Sequence, residues 1–203
     1  GYFPAVSLGW IISDEKFFAP IVNTLNFFKM RLSYGLVGNS EIGDYSYLST
    51  YATSTYNANT GLGLANVGDD KLGWETTSQL NVGISFELFQ GRISGEVDYY
   101  NKTTKDLLLP FPVSQMSGVS LVTKNAGTLT NKGYDMMLSS VNIDVNSFQW
   151  STSVTLNYNE NRVTSLGDEL IENGISASQG LGSISIFPGY PVGVNQLVEW
   201  AGV

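Results

Sequence analysis

The chain has 203 residues, a formal net charge of −8 and a mean hydropathy of +0.01. Its ten basic residues are scattered, which argues against a nucleic-acid interface, because no Lys/Arg cluster is available to replace phosphate counterions. The absence of cysteine and histidine excludes disulfides, thiolate chemistry and histidine-dependent catalytic triads.

Seven extended segments are predicted along the chain. They lie near residues 2–12, 25–39, 74–88, 92–104, 126–141, 148–166 and 190–203. The clearest runs from Thr76 to Leu88, where one face carries mostly apolar residues and the other carries polar residues or glycine. The apolar set is Thr76, Leu80, Val82, Ile84, Phe86 and Leu88, and the facing set is Thr77, Gln79, Asn81, Gly83, Ser85 and Glu87.

The same alternation recurs in other segments. Phe28 to Leu36 alternates apolar residues with Lys29, Arg31, Ser33 and Gly35, and Phe148 to Asn159 alternates apolar residues with uncharged hydrogen-bonding ones. No run approaches the roughly 18–20 apolar residues of a membrane-spanning helix, but a tilted strand crosses the apolar layer in about 9–11 residues. The pattern predicts an all-β fold, an antiparallel transmembrane β-barrel segment of about seven strands.

In a barrel wall of this kind, one face of a strand contacts lipid and the other faces a polar lumen, so the two faces differ in how well they tolerate a charged residue. We predict that Arg at Val82 or Ile84 costs about 2–4 kcal/mol, whereas Arg at Asn81 or Ser85 is tolerated.

The predicted connections alternate in length. The short ones are Ser13 to Thr24, where Ser13 to Lys16 resembles a capped helical turn, then Phe89 to Gly91 and Asn142 to Ser147. The long ones are Ser40 to Gly73, Lys105 to Asn125 and Gly167 to Gly189. This alternation predicts that all long loops emerge at one rim of the sheet.

Candidate binding residues lie in the first long loop, which is rich in tyrosine. Its candidates are Tyr45, Tyr47, Tyr51 and Tyr56, which could stack on sugar rings or pack on a peptide. The alternative is structural, since tyrosines in such loops also pack the loops together or form an aromatic girdle. Trp74, Tyr99, Tyr100 and Trp150 fit interfacial anchors or ordinary strand aromatics.

Two acidic groups suggest chemistry but fit simpler roles better. Asp69, Asp70 and Glu75 could hold calcium, but a solvated loop end is the favoured interpretation. Glu96 and Asp98 share a polar face and could act as acid and base, but lining a wet interior explains them better. We therefore expect no catalytic residue, metal or cofactor.

Several motifs, in order along nearly the whole chain, carry a family resemblance. The chain resembles the C-terminal barrel region of SusC/RagA-type TonB-dependent outer-membrane transporters. The motifs are Phe3-Pro4 with Gly9-Trp10, Leu32 to Gly35 with Gly38-Asn39, Gly73 to Thr77, Asn81 to Gly83, Asp98 to Tyr100, Lys102 to Leu108, Asn125 to Gly127, Asn131 to Tyr134 and Gly189 to Gly193.

The resemblance implies more than the alternation does. It implies a barrel of about 22 strands in the Gram-negative outer membrane, importing oligosaccharides or peptides beneath a SusD-like surface lipoprotein. Residues 1–203 would be a partial barrel domain that lacks the plug domain, the TonB box and the final strands. TonB would act through the N-terminal region that carries the TonB box. The shared motifs would fix strand ends and turns rather than bind substrate.

Other classes of β-protein remain open on the sequence. A soluble β-sandwich, such as a carbohydrate-binding module, also alternates on one side, but soluble strands usually run about 5–6 residues. A β-rich glycan hydrolase lacks a convincing acid pair. A small, self-contained porin of about eight strands is a further alternative to the transporter.

Overall fold

The computed structural model describes residues 1–42, 44–57, 59–114, 116, 118–166 and 186–194. Ten strands lie in these residues. They are β1 (Ala5–Ile11), β2 (Leu25–Asn39), β3 (Thr50–Tyr56), β4 (Asn59–Asn66), β5 (Glu75–Leu88), β6 (Ile93–Lys105), β7 (Leu108–Pro112), β8 (Leu121–Asn125), β9 (Thr128–Val145) and β10 (Phe148–Ser165).

Six of these strands form one antiparallel sheet in the order β1-β2-β5-β6-β9-β10. Six of the seven predicted strands are therefore confirmed. The strand predicted near 190–203 falls largely outside the described residues, and residues 190–194 form a bend, a turn and an isolated bridge rather than a strand. No helix among the described residues is long and apolar enough to cross a membrane.

The short connections lie at one rim of the sheet. Phe89, Gln90 and Gly91 turn the chain with φ of 55°, 59° and 81°, and Asn146 does so at 49°. The second turn is tighter than predicted, because β9 continues to Val145. Between β1 and β2 the chain forms 3-10 turns at Ile12–Asp14 and Lys16–Phe18. The predicted cap at Ser13 is wrong, since the first turn begins directly after β1 without a side-chain cap.

The long connections lie at the opposite rim, and two of them are folded. β3 and β4 pair as one hairpin between β2 and β5, and β7 and β8 pair as another between β6 and β9. The sequence interpretation took both stretches as loops and missed these hairpins. The third long loop, Gly167 to Gly189, falls mainly outside the described residues.

A small buried apolar cluster lies at one end of the sheet. Ala126, Val163 and Leu166 are its buried members, and Leu109, Phe111, Leu129 and Ile186 pack against it. Segment 186–194 reaches this cluster by pairing with β10, where Val163 donates to the Tyr190 carbonyl and accepts from the Gly189 amide. The cluster therefore joins the ends of β9 and β10 to the β7–β8 hairpin, and leaves most of the sheet uncovered.

Candidate functional site

The candidate site is the polar face of the six-stranded sheet, which is defined by the odd-numbered residues of β5 and their cross-strand partners. Register places Arg31, Gly83, Asp98, Asp135 and Asn157 in one row across β2, β5, β6, β9 and β10. Cross-strand neighbours on one face of an antiparallel sheet are close enough to interact directly. Charges far apart in the sequence therefore meet on this face.

Arg31 is the centre of the main cluster on the polar face. Its Nη2 lies 3.0 Å from both carboxylate oxygens of Asp98, and its Nη1 donates to the Ser85 hydroxyl at 2.6 Å. Glu96 completes the cluster, with Oε1 at 3.4 Å from Arg31 Nη1 and 3.2 Å from Ser85 Oγ. A guanidinium presents several donors in a fixed plane, so it can bind two carboxylates and a hydroxyl together.

Gly83 makes this cluster possible. It lies on β5 between Arg31 and Asp98, and a Cβ at this position would overlap Asp98 Oδ1 and lie 3.0 Å from Arg31 Nη2. The ion pair therefore passes over a strand at its one residue without a side chain. Gly133 has a similar place between Tyr100 and Asn159, where the Tyr100 hydroxyl donates to Asn159 Oδ1 at 3.1 Å.

Asp135 faces Asp98 from the neighbouring strand β9. The sequence interpretation found no carboxylate opposite Asp98, because only the register shows which residues are opposed. Asp135 accepts from Asn157 Nδ2 at 2.7 Å, while Asp98 is bound by Arg31. Each carboxylate thus has its own donor, which suits a lining role better than shared proton chemistry.

A hollow of about 400 Å³ opens on the polar face beside the Arg31 cluster. Its charged lining residues are Lys29, Arg31, Glu87 and Glu96, and Phe27 and Met137 add apolar surface. Met137, which interrupts the alternation in sequence, faces Glu96 on this side. The hollow presents both signs of charge and mixed apolar surface.

Hydrogen-bonding side chains continue on both sides of the cluster. Contacts across the sheet join Asn81 to Ser33 at 3.1 Å, Asn161 to Asn131 at 2.7 Å, and the hydroxyls of Thr77 and Thr104 at 2.8 Å. Such a surface is suited to contact with water or with a polar solute.

The opposite face, called the apolar face below, is exposed and has a slanted aromatic border. At the border toward the short connections, the aromatic residues are Trp10 on β1 and Trp150 on β10. The β10 residue in register with Trp10 is Leu156, so Trp150 lies six residues farther toward the short connections. Six residues span about 20 Å, and five interstrand spacings span about 24 Å. The border therefore crosses the strands at a slant of about 40°, which is the strand tilt of membrane barrels.

The border toward the long connections slants in the same direction. Phe3 packs over Gly38 at the far end of β2 and contacts Trp74 in a tilted arrangement, with ring centroids 5.6 Å apart. On β10 this border lies closer to the short connections, at Tyr158, which lies in one row with Tyr134 and Tyr99. The anchor role predicted for Trp74, Tyr99 and Trp150 fits these positions, whereas Tyr100 lies on the polar face and is an ordinary strand aromatic.

Side chains from the recognised motifs hold the bases of the long connections. Asn125 Nδ2 donates to the carbonyls of Gly73 at 2.9 Å and Asp106 at 2.8 Å, and its Oδ1 accepts from the Gly73 amide at 2.6 Å. Glu75 accepts from Asn39 at 2.9 Å and from the Leu108 amide at 2.7 Å. These contacts support the expectation that the motifs fix strand ends.

Three of the four candidate tyrosines have exposed side chains. Tyr45 and Tyr47 lie in the turn before β3, and their side chains are exposed. Tyr51, on β3, is also exposed, and Tyr56 is the last residue of that strand. The ring contacts found among the described residues do not involve Tyr45, Tyr47 or Tyr51. Their role in binding stays a prediction.

Two of the three candidate calcium ligands, Asp69 and Glu75, have other partners. Asp69 accepts from the Lys71 amide at 2.9 Å, which is a loop-end contact, and both oxygens of Glu75 are engaged as described above. No group of three or more potential metal-ligating side chains occurs within the described part of the chain.

Comparisons with known proteins agree with this geometry. A family model described as TonB dependent receptor-like, beta-barrel matches residues 1–187. TonB-dependent receptor P39 of Formosa agariphila is 40% identical over 185 residues, which cover 87% of this chain and 18% of that protein. TonB-dependent receptor SusC of Bacteroides thetaiotaomicron is 32% identical over 195 residues, covering 89% of this chain and 19% of that protein.

Solved structures give the same result. The RagAB peptide transporter matches with a TM-score of 0.79 and 30% identity, covering 94% of this chain and 20% of that chain. The RagAB peptide importer in its closed-closed state matches with a TM-score of 0.82 and 30% identity, covering 95% and 21%. The chain thus spans about a fifth of the length of the proteins that it matches.

Proposed function

The chain belongs to the TonB dependent receptor-like β-barrel family, and we propose that it forms part of the wall and outer loops of a SusC/RagA-type nutrient importer. The observation that carries this proposal is the two-faced sheet, whose apolar face is exposed between two borders slanted at the tilt of a membrane barrel. The protein lies in the outer membrane, with the apolar face toward lipid and the polar face toward the lumen.

The proposed substrate is an oligosaccharide or a peptide. The polar face favours such solutes, because it offers amides, hydroxyls and charges of both signs along the strands. RagAB is described as a peptide transporter, and SusC is described as a TonB-dependent receptor. The exposed Tyr45, Tyr47 and Tyr51, with Tyr56 beside them in sequence, are the proposed substrate contacts of the outer rim.

The proposed partners are a SusD-like surface lipoprotein, which covers the outer rim, and TonB, which supplies energy from the other side. The similarity to RagAB and to SusC supports both proposed partners. We place the plug domain, the TonB box and the remaining strands of the barrel in other parts of the full-length protein, since the relatives are about five times longer. The relatives are receptors and a transporter, and we propose transport without catalysis for this protein as well.

A soluble β-sandwich carbohydrate-binding module is not favoured. β5, β6, β9 and β10 have 14, 13, 18 and 18 residues, about two to three times the usual strand length of soluble proteins. A sandwich would also cover its apolar face with a second sheet, whereas Val6 is 68% exposed and Leu156 is 59% exposed.

Uptake by cells that carry the full-length protein tests this proposal. We expect the tagged protein in the outer-membrane fraction together with a surface lipoprotein, and we expect its deletion to abolish uptake of one class of labelled oligosaccharide or peptide. Replacing the four loop tyrosines by Ala is expected to lower uptake severalfold, while Tyr34→Ala on the apolar face leaves uptake unchanged. Recovery of the protein from the soluble fraction, or normal uptake after deletion, would contradict the proposal.

A further inference from the structure

A charged cluster lies on the apolar face just beyond the tyrosine row. Lys132 on β9 is opposed to Glu160 on β10, and Arg162 follows Glu160 on the same face. Glu160 binds both cations, with Oε2 at 3.3 Å from Lys132 Nζ and Oε1 at 3.4 Å from Arg162 Nη2. One carboxylate therefore holds an ammonium and a guanidinium close together.

The cluster lies at the membrane border of the sheet, on the side of the long connections. Tyr134 and Tyr158 end the apolar stretch of β9 and β10, and Lys132 and Glu160 are each two residues nearer the long connections. Long loops of membrane barrels lie on the extracellular side. The cluster thus faces outward at the level where lipid headgroups of the outer leaflet begin.

Glu160 cannot accept from every hydrogen-bond donor of Lys132 and Arg162. An ammonium has three donors and a guanidinium has five, and a single carboxylate cannot use them all. The side chains of Lys132 and Arg162 are 49% and 58% exposed, whereas that of Glu160 is 30% exposed. Lys105 lies farther along the same face of β6, and Glu160 is the only acid on this face of β5, β6, β9 and β10 beyond the tyrosine row, among the described residues.

We propose that Lys132 and Arg162 bind a phosphate of an outer-leaflet glycolipid. The proposal rests on the proposed membrane location of this sheet. A phosphate fits because it accepts from a guanidinium and an ammonium at once, in charge-assisted bonds. Glu160 contacts both cations and competes with the phosphate for their donors.

The test uses the full-length protein purified in detergent and titrated with lipid A that retains its phosphates. We expect the double variant Lys132→Gln, Arg162→Gln to weaken binding at least about tenfold, since each lost bond involves a charged group. Glu160→Gln is expected to bind at least as tightly as the unmodified protein, because it removes a competing anion. Lys102→Gln, on the polar face of β6, is the matched control and is expected to bind normally.

Two further binding measurements identify the ligand. Enzymatically dephosphorylated lipid A is expected to bind at least tenfold more weakly, and inorganic phosphate is expected not to compete. Equal binding by the double variant or by the dephosphorylated lipid would overturn the proposal, and competition by inorganic phosphate would replace the lipid by a free anion. Outer-membrane insertion of each variant is scored separately, so loss of the lipid site with normal insertion leaves the proposed transporter intact.

Discussion

Arg31 Nη2 lies 3.0 Å from both carboxylate oxygens of Asp98, although the strand between them, β5, separates the two residues. Gly83 is the β5 residue at the crossing point. The pair depends on this glycine for space and not for an unusual backbone angle, because Gly83 is not among the residues with positive φ.

Gly83→Ala should therefore destabilise the barrel. The new Cβ would overlap Asp98 Oδ1 and crowd Arg31, so the ion pair has to separate or the strands have to shift, at a cost of about 1–3 kcal/mol. The measurement is the free energy of unfolding of the full-length protein in lipid vesicles. Gly9→Ala is the matched control, since its Cβ would meet only Lys29 Cε at 3.6 Å. Equal stability of the two variants would contradict this account.

The coupling between Arg31 and Asp98 is itself measurable. A double-mutant cycle with Arg31→Gln and Asp98→Asn should give a coupling energy of up to about 1 kcal/mol, because both side chains are more than one-third exposed and partly screened. The coupling should fall when the salt concentration is raised from 0.1 M to about 1 M, where the Debye length is near 3 Å. Additive effects at low salt would show that the two residues act independently.

The strands of the wall could be predicted from sequence because their cause is local. Alternation of apolar and polar residues sets the two faces, and it is visible without knowing which strand is the neighbour. The β3–β4 hairpin lacks this signal: its residues are mostly Thr, Ser, Tyr, Asn and Gly, and its pairing depends on cross-strand register.

The polar cluster could not be predicted, because register decides which charges meet. Sequence shows Glu96 and Asp98 two residues apart, but not that Arg31 crosses β5 to bind them. The structure therefore argues against the prediction that Arg is tolerated at Ser85. Ser85 is 8% exposed and its hydroxyl binds Arg31 and Glu96, so a second guanidinium there would repel the first.

Asn125→Ala should loosen the outer rim without unfolding the wall. The variant loses three hydrogen bonds that join the base of β8 to Gly73 and Asp106, and two carbonyls and one amide lose a partner. We expect faster amide hydrogen exchange in 106–127 by at least about tenfold, with β5 and β6 unchanged.

Asn59→Ala is the control for this change, since the Asn59 side chain makes one weak contact, to the Asn57 carbonyl at 3.4 Å. Unchanged exchange in 106–127 of the Asn125 variant would show that the hairpin is held by other contacts.

The two faces of the wall differ most sharply on β10, where Val154 and Thr155 are neighbours with opposite orientation. Val154 lies midway between the border residues Trp150 and Tyr158 on the apolar face, and it is 46% exposed. An Arg at this depth has no water and no partner, so Val154→Arg should destabilise the barrel by about 2–4 kcal/mol. Thr155→Arg places the same charge on the lumen side and should change stability by no more than about 0.5 kcal/mol. Unfolding of the two full-length variants in vesicles measures the difference, and a similar cost at both positions would mean that Val154 does not face lipid.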